Sequence, residues 1–92
     1  MQFEWDSGKA IINQQKHKID FETAARVFLD PNRVEQYDEG HAEEEDRWKV
    51  TGMVHPAILI VIYTERGENG EIIRIISARK ANEQERQAYY KI

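Results

Sequence analysis

The chain has 92 residues, 40% hydrophobic and 33% charged, with no cysteine and a formal net charge of −4. That is sequence for one domain with a modest core; a disulfide framework, thiolate chemistry and a disordered polyelectrolyte are excluded. The longest apolar run, residues 57–63, is strand-sized and far short of a membrane span.

The charge is unevenly spread. Residues 34–46 carry seven acids and no Lys or Arg, whereas residues 63–92 carry six cations against five acids. The net charge disfavours a nonspecific nucleic-acid binder, but outside the acidic stretch a local polyanion site is compatible with the sequence. The N-terminal MQFEWD is acidic and lacks the basic and apolar zones of a secretory signal, so a cytoplasmic, membrane-free protein is expected.

Phe3-Glu4-Trp5 alternates as a short edge strand. Asp6 and Ser7 are N-cap residues for a helix over about 8–16, with Lys16, His17 and Lys18 at its C-terminal end, where cations suit the helix dipole. Asp20 caps a second helix, and Phe21, Ala24, Ala25, Phe28 and Leu29 follow the spacing of a buried stripe until Pro31 ends it.

The period then changes from 3.6 to 2. A strand is predicted over 33–38, followed by an acidic loop over 39–46 containing Gly40. Residues 47–54 alternate, with Trp48, Val50, Gly52 and Val54 on one face and Arg47, Lys49, Thr51 and Met53 on the other. His55-Pro56 marks a turn. The run AILIVIYTE at 57–65 is apolar on both faces and reads as the central strand. Asn69-Gly70 signals a hairpin, residues 72–79 return antiparallel, and Asn82 with Glu85 forms the capping box of a last helix ending near 91. The order β-α-α-β-β-β-β-α predicts a single α+β domain over residues 1–92, with an antiparallel meander sheet and helices packed on one face.

The chemistry-bearing residues gather at strand ends. Ser77 and Arg79, two apart on a strand, share one face. Arg66 ends the preceding strand, although hairpin pairing places it nearer Ile72 than Arg79. Taken singly, each arginine reads as a solvated strand-end cation, Ser77 as a helix-entry residue, His17 as a helix C-terminal cation and the acidic run as a solvated loop. The histidines at 17, 41 and 55 have no zinc-ligand spacing, so no metal and no cofactor is assigned. There is no Gly-rich phosphate loop and no nucleophile elbow.

Over nearly its whole length the chain resembles the BrnT toxin family. The resemblance is carried by FEWD at 3–6, Lys9, Asn13, KH at 16–17, DFETAARVFLDP at 20–31, RW at 47–48, YTERG at 63–67, IRIISARKA at 73–81 and ER at 85–86. One departure is Lys18, where the family usually has glycine after the Lys-His pair. The resemblance implies a RelE-like fold and a ribonuclease toxin of a type II toxin–antitoxin system that inhibits translation. It further implies metal-independent RNA cleavage by attack of the 2′-hydroxyl, and neutralisation by a BrnA-type antitoxin. That antitoxin would be a ribbon-helix-helix protein forming a 2:2 complex and contacting operator DNA itself. In that chemistry Arg66 and Arg79 stabilise phosphorane charge, Ser77 orients a phosphate oxygen, His17 transfers a proton, and Lys16 positions substrate or substitutes in the transfer. The alternative is a catalytically inactive interaction module that binds a ribbon-helix-helix DNA-binding partner.

Overall fold

The computed structural model of the protein describes residues 1–39 and 45–91; residues 40–44, the middle of the predicted acidic loop, and residue 92 lie outside the described residues. In chain order the elements are β1 (Gln2–Trp5), α1 (Ser7–His17), α2 (Phe21–Ala25) running into a 3-10 helix (Arg26–Leu29), β2 (Val34–Tyr37), β3 (Trp48–Val54), β4 (Ala57–Arg66), β5 (Ile72–Lys80) and α3 (Glu83–Tyr90). The predicted element order is therefore observed. Among the described residues no helix is long and apolar enough to cross a membrane.

Two expectations about the sheet are corrected. It has the order β1-β5-β4-β3-β2, and it is mixed rather than an antiparallel meander. Strands β2 to β5 do form an antiparallel meander, but β1 pairs parallel to β5, Trp5 opposite Ile75. The helical connection after β1 carries the chain to the far edge of the sheet, where β2 runs opposite to β1. Three reversals then bring β5 back beside β1 in the same direction.

The helices also lie on both faces, not one. Val50, Leu59, Val61, Tyr63, Ile73, Ile75 and Ala78 meet Ile19, Phe21, Ala24, Val27 and Phe28 of the α1–α2 layer in the main core. Helix α3 covers part of the other face, where Ala88 and Tyr89 stand over Val34, Thr51 and Ile60. The physical reason is β4 itself. Ile58 and Ile60 are as deeply buried as Leu59 and Val61, and a strand apolar on both faces must be covered on both.

Local chemistry sets the helix ends. Asp6 accepts from Lys9 N, Asp20 from Thr23 N, and Asn82 and Glu85 complete the predicted capping box. Lys18 adopts the left-handed conformation, φ 61°, that closes α1, with its N–H donating to Gln14 O. Glycine enters that region freely; a lysine there costs about 1–2 kcal/mol. After Ala25 the helix tightens to three residues per turn, which brings Val27 into the core and leaves Leu29 80% exposed, contrary to the predicted stripe. The 3-10 segment lies so close to β3 that a Cβ on Gly52 would stand 2.6 Å from Val27 Cγ2.

Candidate functional site

A one-residue irregularity in β5 creates the site. Ile73 and Ile75 face the main core, so strict alternation would drive Ser77 and Arg79 into that core as well. Instead the pairing passes from Tyr63–Ile75 to Ile62–Ser77, leaving Ile76 as an extra residue. The bulge reverses the alternation: Ala78 enters the core, and Ser77 and Arg79 emerge on the α3 side. The predicted sharing of one face by these two residues is observed.

Pairing then aligns two rows across the sheet. Lys49 lies opposite Ile62, which lies opposite Ser77; Thr51 lies opposite Ile60, which lies opposite Arg79. Two strand spacings separate the outer members of each row by roughly 10 Å, and the diagonal from Lys49 to Arg79 is roughly 12 Å, a gap their long side chains can span. The result is a guanidinium, an ammonium and a hydroxyl flanking the isoleucine floor of β4. Sequence pattern alone does not single out Lys49. Its signal was the alternation of residues 47–54, which placed it on the face opposite Val50, but its strand partners were needed to set it against Ser77 and Arg79.

Arg79 is already engaged. Its two terminal nitrogens donate to Glu85 Oε1 and Oε2 of α3 at 2.8 and 2.9 Å, a bidentate pair. Those hydrogen bonds hold the Glu85 carboxyl at about 2 against an opposing effect of burial, helped by the Asn82 N–H and by the charges of Arg79 and Lys49. Because the folded value is lowered, the stabilisation from this pair is complete above the ordinary carboxylate value of 4.5 and is lost as pH falls towards 2. At neutral pH the pair is intact. Arg79 is correspondingly pushed further up by Glu85 and stays charged.

A second polar contact fixes the other end of α3. The Tyr89 hydroxyl donates to Asp30 Oδ2, which also accepts from Met53 N, while Asp30 Oδ1 accepts from Asn32 N. Burial would raise the Asp30 carboxyl, but these donors and the Arg33 charge outweigh it and leave it lowered. Burial and the Asp30 carboxylate push Tyr89 up to about 12.

The remaining predicted residues are placed elsewhere. Arg66 pairs with Ile72 at the hairpin end and donates to Glu45 Oε2 at 2.9 Å, beside a cavity of about 370 Å³ lined also by Asp46, Trp48 and Thr64. The run from Ile60 to Arg66 along β4 is roughly 20 Å, so Arg66 does not converge with Arg79 on one phosphate. Their common strand pair separates them, because a hairpin sets the end of one strand against the start of the next. Lys16 and His17 occupy the last turn of α1, Lys16 exposed and His17 half-buried. One turn earlier, Asn13 is bonded to Ala78 N and O on the outer edge of β5, beyond the point where β1 stops at Ile75. The last turn of α1 is thus carried towards the Arg79 end of β5, but from the other layer of the fold.

This architecture can be set beside known proteins. A sequence profile described as "Ribonuclease toxin, BrnT, of type II toxin-antitoxin system" matches residues 5–85. The crystal structure of the Brucella abortus ribonuclease toxin, BrnT, determined at 1.1 Å, is similar with a TM-score of 0.67 and 27% sequence identity, covering 90% of this chain and 99% of that one. No curated protein matches the chain. The chain belongs to the BrnT family of ribonuclease toxins of type II toxin–antitoxin systems.

Proposed function

We propose that the protein is an endoribonuclease toxin that holds the reacting phosphate of RNA on the α3-side face of its sheet. The observation that carries this reading is the alignment of Lys49 and Ser77 in one cross-strand row and Arg79 in the next, on a face to which the β5 bulge delivers Ser77 and Arg79 and the alternation of β3 delivers Lys49. Arg79 offers a planar fork for two non-bridging phosphate oxygens, Lys49 a point charge, and Ser77 a hydroxyl donor. Cleavage needs no metal. The 2′-oxygen attacks phosphorus, the bond to the 5′-oxygen breaks, and the products are a 2′,3′-cyclic phosphate and a 5′-hydroxyl. The proton leaves the 2′-hydroxyl for a base, and the leaving oxygen takes one from an acid. His17 and Lys16, which reach the outer edge of β5 from the α1 layer, are assigned to holding the RNA strand beside the reacting phosphate rather than to the proton transfer. Arg66 is given no part in the chemistry.

The partner is a BrnA-type ribbon-helix-helix antitoxin in a 2:2 complex that binds operator DNA through the antitoxin. The cysteine-free composition suits the cytoplasm, where RNA and translation are found.

Incubation of the purified protein with single-stranded RNA in excess chelator tests the reading. Fragments ending in 2′,3′-cyclic phosphate are expected, at a rate the chelator leaves unchanged. Loss of cleavage on chelation contradicts the metal-free chemistry, and tight binding of a small basic partner without any cleavage favours the interaction module.

A further inference from the structure

Helix α3 buries none of its own residues. It rests on the sheet over a cavity of about 190 Å³ lined by Lys49, Thr51 and Ile60 below and by Glu85, Ala88 and Tyr89 above. Besides the cover that Ala88 and Tyr89 give Ile60, two polar contacts fasten it: the Glu85–Arg79 pair near its first turn and the Tyr89–Asp30 hydrogen bond at its last. The last hydrogen bond tying the chain to the sheet before α3 is Ala81 N to Ile58 O, and Asn82 then turns the chain in an extended conformation. A helix that buries none of its own residues and joins the sheet through one extended residue has the features of a segment that opens more readily than the core.

The place that Glu85 occupies is the place the proposed substrate needs. A carboxylate and a phosphate engage a guanidinium edge in the same bidentate way, so one excludes the other. We propose that α3 is an autoinhibitory lid, with the Glu85 carboxylate standing where an RNA phosphate binds between Arg79 and Lys49, and that RNA enters as the helix swings away about Asn82. This regulation rests on the reading of the Lys49–Ser77–Arg79 face as the phosphate site.

The two can be separated in one titration. Binding of a short mixed-sequence 2′-O-methyl oligoribonucleotide, which lacks the attacking hydroxyl, is followed by fluorescence anisotropy for the parent and four variants. Glu85→Gln removes the competing charge yet keeps a side chain able to complete the capping box, and should tighten binding about three- to tenfold as the open population rises. Tyr89→Phe loosens the other end without changing charge and should tighten binding by about twofold. Glu83→Gln makes the same charge change as Glu85→Gln on the exposed side of α3, and should leave affinity near that of the parent. Arg79→Ala should weaken binding. If Arg79→Ala binds as the parent does, the site itself is misassigned. If it weakens binding while Glu85→Gln and Tyr89→Phe match Glu83→Gln, the site stands and the lid is overturned.

Discussion

Replacing Arg79 by alanine should reduce RNA cleavage by at least about 10²–10³-fold while moving the melting temperature by only a few degrees. The first magnitude is that of losing a preorganised charged donor to the transition state. Of Lys49, Ser77 and Arg79, only Arg79 can hold two phosphate oxygens at once, and its loss leaves the Glu85 carboxylate without its bidentate partner against the incoming phosphate. The second follows from exposure. The Arg79 side chain is 43% exposed, and an ion pair screened to that degree contributes at most about 1 kcal/mol to stability. In a domain of this size that is a shift of about 4–8 °C or less. Arg79→Lys should recover only part of the activity, because an ammonium keeps the charge and loses the fork. Gel assays of cleavage beside thermal melts by circular dichroism read both effects. A variant as active as the parent would remove Arg79 from the chemistry.

Asn13→Ala should have the reverse profile, a large loss of stability. Asn13 is buried, and its amide donates to Ile19 O at 3.0 Å and to Ala78 O at 2.9 Å while accepting from Ala78 N at 3.0 Å. It takes the place of a neighbouring strand along β5 where β1 has ended. Alanine would leave these backbone groups without partners inside the protein, at a cost on the order of 3 kcal/mol. The melting temperature should fall by about 12–24 °C. Asn13→Asp should also be destabilising, because a carboxylate accepts from Ala78 N but cannot donate to either carbonyl. A melt within a few degrees of the parent's would show that the α1–β5 junction holds by apolar packing alone.

Much of this architecture was legible as pattern. The alternation of residues 47–54, the two-faced run of 57–65, the Asn-Gly turn and the Asn82–Glu85 capping box all mark elements that the structure contains. What could not be read was what depends on three-dimensional pairing. The parallel partnership of β1 with β5 arises from where the meander returns, not from any residue in FEW. The two-faced run of β4 already demanded a second covering layer, and α3 supplies it. The bulge at Ile76 leaves no local signature, since isoleucine fits a strand interior as well as an extra position. Yet it alone turns Ser77 and Arg79 away from the core. Lys49 was visible as a residue facing away from Val50, and only the register of β3 on β4 and β4 on β5 set it opposite Ser77. Arg66 shows the opposite case. The family resemblance groups it with Arg79, and the hairpin geometry separates them.

In the proposed function, RNA phosphate sits on the sheet face carrying Lys49, Ser77 and Arg79. Backbone amide chemical-shift mapping with the 2′-O-methyl oligoribonucleotide tests this most directly. The largest changes are expected at residues 49–51, 77–80 and 82–89. Changes confined to the hairpin at 65–71, or to the exposed surface of α1 and α2 with the β5 amides unmoved, would contradict it.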